Sequence, residues 1–367
     1  GKTSLDVFTQ FRKRVESSTA TVRQPFEAPK QLAALPSHVD CGVIPSLKDL
    51  MSISDNQAFL SEFYQQFDGS PLNLDMLEEG SNFVPQFVGG ETAALKRLEE
   101  YIWEKQLIKV YKETRNGLLG FDYSSKFAPW LALGCLSPRQ IYHQVKKFER
   151  QVEGNESTYW LIFELLWRDY FKFIGLKHGN EIFHLRGLKR PYEFKKWNNN
   201  MEQFSIWAKG QTGFPFVDAN MKELCCTGFM SNRGRQNVAS FLTKDLHIDW
   251  RMGAEFFESF LIDYDTCSNY GNWLYVAGVG NDPREDRYFN VTKQAHMYDA
   301  KAEYVKYWLP VLQKIPDVPD LVHQPSLLTK DQQTKCGIVI GQDYPQPVVK
   351  VAFFKEKSNL KPKKLKH

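Results

Sequence analysis

The 367-residue sequence has no C-x-x-C pair, no H-E-x-x-H, no G-x-x-x-x-G-K-S/T loop and no apolar run approaching 18 residues. Each absence closes a class. Six cysteines lie scattered at 41, 135, 225, 226, 267 and 336, and adjacent Cys225 and Cys226 suit neither a zinc site nor a disulfide framework. Reduced thiols, no metal and an intracellular setting (nucleus, cytoplasm or an organelle) are the expectations. Without the phosphate loop, a P-loop enzyme is disfavoured. Gly278-Val-Gly280 lacks the third glycine of a dinucleotide fingerprint and follows no convincing strand. A helical membrane span needs roughly 20 apolar residues, so none is expected, and no secretory signal is visible. A formal net charge of only +4 excludes a histone-like polycation. The sequence opens on Gly1 rather than Met, as a processed, engineered or fragmentary chain would.

What is present points to a packed, aromatic-rich protein. Hydrophobic residues make up 42%, enough for a sizeable core, and 27 Phe, 16 Tyr and 9 Trp supply either core packing or stacking surfaces for planar ligands and bases. The stretch from Lys350 to His367 carries seven Lys and one Glu. It suits a solvated tail, or a nuclear-import or nucleic-acid segment.

Periodicity divides the chain into three. Residues 1–86 form a long connector in which short helical patterns, at Asp6–Glu16 and about Ser46–Phe67, are interrupted by Pro25, Pro29, Pro36 and Pro45. Residues 87–315 are helical. Helices are predicted over Glu91–Lys105, from Ser125 towards Leu133, after Ser137, from Asn155 or Ser157 to Lys177, and over Asp218–Thr227, Asn232–Leu246 and Gly253–Ile262. Ser137-Pro-Arg-Gln140 combines a cap residue, a first-position proline and a capping-box glutamine. Residues 316–367 form a C-terminal extension with a basic, disordered end. With no strand–helix alternation and no repeats, the fold class is all-α.

Three blocks carry chemistry. Trp160, Glu164, Trp167 and Phe171 share one helix face, where a lone carboxylate is costly. Arg168, four residues on, could pair with it. The alternatives are an ordinary ion pair, or a carboxylate beside an aromatic ligand or base. In Thr227-Gly-Phe-Met-Ser-Asn232-Arg233-Gly-Arg235-Gln236, Asn232 is placed as a helix cap, and two arginines then project where backbone amides favour anions. The third block, Asp263-Tyr-Asp265-Thr-Cys-Ser-Asn269-Tyr-Gly-Asn272-Trp273, is denser in polar residues than a surface loop usually is.

These blocks, together with Tyr111-Lys-Glu-Thr-Arg-Asn-Gly-Leu-Leu-Gly, Tyr123-Ser-Ser-Lys-Phe-Ala-Pro-Trp-Leu-Ala-Leu-Gly-Cys-Leu-Ser-Pro-Arg and Phe163-Glu-Leu-Leu-Trp-Arg-Asp-Tyr, stand in the order found in the photolyase/cryptochrome family. The wording most resembles the DASH branch, over about residues 4 to 350. The resemblance implies the FAD-binding helical domain of that family, preceded by the connector from an N-terminal α/β domain that this chain does not include. It implies FAD as cofactor, with an antenna folate, 5,10-methenyltetrahydrofolate, only in a full-length form. By resemblance, Tyr111 packs beside the FAD, and Ser124, Ser125 and Lys126 meet its phosphates. Arg235 pairs with Asp263 near the isoalloxazine, with Asp265 and Asn232 close by, and Asn269 faces N5.

The implied reaction is light-driven splitting of cyclobutane pyrimidine dimers in DNA by an electron from excited, reduced FAD. Asn269 supports repair, because a neutral amide tolerates the anionic reduced flavin where Asp would protonate it. Glu164 and Arg168 would floor the lesion pocket, Glu164 steadying the dimer and Trp167 stacking on it, with Arg233 as a further DNA contact. Trp273, Trp250 and Trp197 match the family's electron-transfer chain. Tyr275 and Gln236 replace a Trp and a Met of the duplex-repairing enzymes, and Phe229 and Leu161 each replace a Trp. A more polar pocket offsets unstacking less well, so single-stranded DNA is the expected partner, with RNA a second. No membrane partner is expected, and the chain should be a monomer. A blue-light photoreceptor and a non-catalytic nucleic-acid-binding flavoprotein are the competing readings.

Overall fold

Asn155 opens the longest helix. Its side chain accepts from the Ser157 and Thr158 amides at 2.8 and 3.0 Å, and Thr158 Oγ1 accepts in return from the Asn155 amide, a reciprocal capping box. The helix runs from Glu156 to His178 and is the member around which the others pack. The computed structural model describes residues 6–18, 21–40, 42–43, 87–188, 197–281, 288–316 and 318–349. In chain order the helices are α1 (Phe8–Glu16), α2 (Glu91–Glu99), α3 (Tyr111–Thr114), α4 (Ala128–Ala132), α5 (Pro138–Gln151), α6 (Glu156–His178), α7 (Met201–Ala208) and α8 (Pro215–Thr227). They continue as α9 (Asn232–Ser240), α10 (Trp250–Phe260), α11 (Thr266–Ala277), α12 (Val291–Tyr298), α13 (Glu303–Trp308), α14 (Pro319–His323) and α15 (Lys330–Cys336). Among the described residues β-pairing is confined to two isolated bridges, Asn198 with Ile248 and Ile340 with Tyr344, so the fold is all-α, as the periodicity predicts.

The chain forms two units, residues 1–21 with 83–367, and residues 22–82. The described part of the second holds no regular element; a turn closes at Pro36–Val39, and Arg23 lies over the Phe26 ring. In the first, α2, α3, α5 and α6 share a core that includes Tyr101, Ile102, Ile141, Val145, Phe148 and Leu161. On its other side α6 meets α11, which meets α10. These contacts are close because glycines face aromatic rings. A Cβ on Gly271 would sit 2.3 Å from the Phe171 ring, and one on Gly253 would sit 2.3 Å from Trp273.

Several sequence expectations need correction. Helix α2 ends at Glu99 and gives way to a π-turn over Glu100–Glu104, and α9 does the same over Phe241–Asp245. Ser137 precedes α5 in extended conformation but its hydroxyl makes no cap bond, so Pro138, not a capping box, sets the start. Ser231, not Asn232, caps α9: its hydroxyl accepts from the Gly234 amide at 3.1 Å, which makes Asn232 the first helical residue. The polar block after Asp263, to which the periodicity assigns no element, forms a helix, α11, capped by Asp265. The first unit also runs past residue 315: Tyr344 donates to the fully buried Asp218, and the Val348 amide donates to the Thr212 carbonyl at 2.9 Å. Helix α1 belongs to it as well. The helical pattern at Ser46–Phe67 and the basic end after Lys350 lie outside the described residues.

Candidate functional site

A cavity of about 460 Å³ opens between α6, α9 and α11, with the loop before α4 as its far wall. Its size is that of a cofactor site. All the residues to which the resemblance gives a site role line it except Arg233, Trp250 and Trp197, and of the Glu164 helix face Trp160 stays outside it. Contacts divide the cavity lining into two clusters, an inner end around Lys126, Arg235 and Asp263 and an outer end around Glu164 and Trp167.

At the inner end, Tyr123, Ser124, Ser125 and Lys126 approach from the loop, and Asn232, Arg235 and Asp263 from the α9 side. Arg235 donates to Asp263 Oδ2 at 2.8 Å and, through Nε, to the Met230 carbonyl at 2.8 Å. Asp265 accepts from the Ser268 amide at 2.8 Å. Asn269, buried one turn into α11, donates from Nδ2 to the Ala254 carbonyl at 3.0 Å, which fixes its amide at the wall. Tyr111 is buried, burial raises its phenol pKa, and it stands beside Glu164 and Arg115, next to the outer end. Trp273 lines the same wall, edge-on to Phe257.

Three buried polar atoms here have no partner: Lys126 Nζ, Asp263 Oδ1 and Tyr123 OH. Lys126 is only 3% exposed, adopts a left-handed backbone at φ 60°, and holds its ammonium 3.4 Å from the Tyr123 ring centroid and 4.4 Å from that of Phe229. Burial depresses its pKa well below the usual lysine value, with the Glu223 carboxylate opposing. Buried polar atoms rarely stay unpaired without a reason, and non-glycine residues in left-handed backbone cluster at ligand sites. A planar, anionic ligand with hydrogen-bonding edges satisfies this set, so the residues present fit a flavin dinucleotide.

At the outer end stand Glu164, Trp167, Arg168, Gln236 and Tyr275. Glu164 does not pair with Arg168. Its partner is Arg115, whose Nη1 donates to Oε1 at 2.5 Å, whereas Arg168 reaches the Leu131 carbonyl at 3.4 Å. The i,i+4 spacing on α6 is thus outcompeted by a residue just past α3. Burial raises the Glu164 pKa and Arg115 holds it down. Arg115 also lies 5.5 Å from the Trp160 ring centroid. Sequence reasoning overlooked Arg115; the signal was its place four residues after Tyr111, one helical turn on.

Trp167 is half-buried. Phe8 of α1 stacks flat on it, with centroids 3.6 Å apart and planes at 11°, and Tyr275 meets it edge-on at 5.7 Å. Tyr170, edge-on at 5.6 Å, and Phe171, tilted at 5.5 Å, border the same indole. Tyr275 OH lies 3.3 Å from Tyr170 OH. Arg233 turns away from the cavity: it donates to Gln236 and Asn116 and stacks over Tyr298.

Trp250 and Trp197 lie behind the wall. Trp250 is fully buried, donates to the Leu185 carbonyl at 3.1 Å and meets Tyr270 edge-on. Asn198 bridges to the segment before α10 through Asn198 N–His247 O at 2.9 Å and Asp249 N–Asn198 O at 3.0 Å, which brings half-buried Trp197 beside it.

Comparison with known proteins agrees with this geometry. Residues 160–361 match the family described as the FAD binding domain of DNA photolyase. The chain is 54% identical over 350 residues to a Cryptochrome DASH from Gloeobacter violaceus, covering 94% of this chain and 63% of that protein. Its fold matches the crystal structure of a Synechocystis sp. cryptochrome with a TM-score of 0.83 at 48% identity, over 96% of this chain and 67% of that one. A class III photolyase from Agrobacterium tumefaciens matches with a TM-score of 0.74 at 30% identity, over 95% of this chain and 66% of that one. The chain therefore spans just under two thirds of the length of the curated relative.

Proposed function

The chain belongs to the photolyase/cryptochrome family, on its DASH-type branch, and from that premise we propose that it is a light-driven flavoprotein that splits cyclobutane pyrimidine dimers, preferentially in single-stranded DNA. The observation that carries the reading is the two-ended cavity. One end offers unpaired buried donors and acceptors to a flavin, and the other presents the Glu164 carboxyl together with the half-buried Trp167 indole.

When bound, reduced FAD supplies the photoexcited electron. The protein's residues bind and orient. Ser124, Ser125 and Lys126 would hold the diphosphate, and Arg235 with Asp263 and Asn269 would hold the ring system. Glu164 would hydrogen-bond the dimer, with Arg115 fixing its orientation. Trp167 and Tyr275 would flank the extruded bases.

Substrate preference follows from a balance of costs. Extruding a dimer from a duplex costs a few kcal/mol and less from a single strand. Base–aromatic stacking returns roughly 1–3 kcal/mol per base. Here one indole face is already taken by Phe8 and the second platform is a phenol rather than an indole, so the return sits at the low end. The test is light-dependent dimer repair by the FAD-loaded chain on single-stranded and duplex DNA at matched salt. Faster repair of the single strand is expected, with Glu164→Ala slowing repair while FAD stays bound. Equal rates on both substrates overturn the preference, and no light-dependent repair overturns the function.

A further inference from the structure

Behind the inner wall of the cavity, on the side away from the ligand space, lies a buried arginine that no part of the proposed chemistry uses. Arg97 is in the last turn of α2, 3% exposed, and it does not line the cavity. A guanidinium has five N–H donors, and all five have acceptors. Nε donates to the Ser125 carbonyl at 3.1 Å. Nη2 donates to the Ser124 carbonyl at 3.1 Å and the Phe121 carbonyl at 3.4 Å. Nη1 donates to Glu100 at 3.0 Å and Asp122 at 2.9 Å. The plane is packed against the Phe121 and Tyr101 rings, at 4.3 and 5.0 Å. Lys105 closes the back of the cluster by pairing with both Glu100 and Asp122. The π-turn over Glu100–Glu104 begins at this point in the chain, the kind of helix irregularity often found at functional sites.

The direction of these bonds matters. Arg97 takes the carbonyls of Ser124 and Ser125. Among the described residues their amides and hydroxyls have no partner within the protein, although both residues line the cavity. A loop held by its carbonyls from behind is left with donors for the space in front.

We propose that Arg97 is a positioning residue that makes this site select a flavin carrying a diphosphate: it clamps residues 121–125 so that the Ser124 and Ser125 donors meet the diphosphate, without touching the ligand itself. The inference rests on the flavin reading above. It predicts a loss confined to the phosphate-bearing half of the ligand. A residue that merely stabilised the core would weaken every ligand of the cavity alike.

The experiment titrates the apo chain with FAD, riboflavin and ADP. Arg97→Gln should weaken FAD and ADP at least tenfold and leave riboflavin within twofold. Arg97→Lys keeps the charge but not the planar fork, and should give a smaller loss with the same selectivity; it serves if the glutamine variant does not fold. In both, amide hydrogen exchange of residues 121–126 should speed up while that of α6 does not. Equal weakening of FAD and riboflavin, or unchanged FAD affinity, overturns the inference while leaving the flavin reading intact. A wild-type chain that binds neither FAD nor riboflavin overturns the flavin reading, and the inference with it.

Discussion

Glu164 shows how a single contact changes the chemistry assigned to a residue. Burial pushes its pKa above the usual glutamate value and the adjacent Arg115 guanidinium works against that shift. A carboxyl whose folded pKa lies above its unfolded value contributes stability that is present below the unfolded pKa and lost as pH rises through the folded one. Arg115→Gln removes the opposing charge, so the folded pKa rises further and the loss at neutral pH grows. Urea midpoints of the apo variant should therefore fall below wild type more at pH 8 than at pH 5. In a Glu164→Gln background, where no carboxyl is left to ionise at that position, Arg115→Gln should show no such extra pH dependence. Repair should slow by at least about tenfold in Arg115→Gln, as expected when a charge-assisted bond of roughly 1.5–3 kcal/mol is lost. If the pH dependence persists in the Glu164→Gln background, a carboxyl other than Glu164 carries it and the pairing seen here is not the one that acts in solution.

At the scale of elements, the helices are legible where local signals agree. Asn155 with Thr158 caps α6 through short-range bonds alone, and the sequence shows it. The block from Thr266 to Ala277 shows no helical pattern in the sequence because Ser268, Asn269 and Asn272 break the apolar stripe, yet it is α11. Those polar residues line a cavity, so the helix has a wet face inside the molecule, and a binary pattern built for one solvent-facing side misses it. The Arg115–Glu164 pair and the Phe8–Trp167 stack join residues far apart in sequence, and spacing rules do not reach that far. The ordered motifs nonetheless brought most of the cavity lining together before any coordinates. What they leave unseen is the packing that sets the walls. Gly253 lets α10 lie against Trp273, where an added Cβ would fall 2.3 Å from the ring. Gly253→Ala should lower stability by about 1–3 kcal/mol, the usual cost of overpacking a core, and should weaken FAD binding by displacing Trp273. Gly89→Ala, where nothing lies within 4 Å of the added carbon, should change neither. Differential scanning and flavin titration of the two variants settle the point.

Across the whole molecule, distant segments hold the cavity in place and connect it to the surface. Tyr344 reaches Asp218 across 126 positions of sequence. Burial pushes the Asp218 pKa up to about 6, against donors that include Tyr344. Tyr344→Phe removes a donor to a buried carboxyl and should cost about 1–3 kcal/mol. The cost should be larger at pH 8 than at pH 5, since Asp218 must then be ionised with one donor fewer; denaturant midpoints at the two values check it. The second long-range feature is the line of indoles. Trp273 forms part of the cavity wall, α10 lies against its ring at Gly253, Trp250 begins that helix, and Trp197 sits beside the segment leading into it. The proposed role of this line is to pass electrons from a reductant at the surface to the cavity under blue light. Indoles suit the task, because the ring can be oxidised to a radical cation and its width shortens each hop. Trp250 is the informative position, being fully buried and outside the cavity lining. Trp250→Phe keeps an aromatic volume there and gives up the readily oxidised ring together with the hydrogen bond to the Leu185 carbonyl. FAD content should be retained, and photoreduction with an external thiol should drop at least tenfold. Repair by chemically reduced protein should continue at close to the wild-type rate, since the dimer end of the cavity is untouched. Undiminished photoreduction would mean that electrons enter by another route. Loss of repair in the chemically reduced variant would mean that Trp250 supports the cavity itself rather than the path to it.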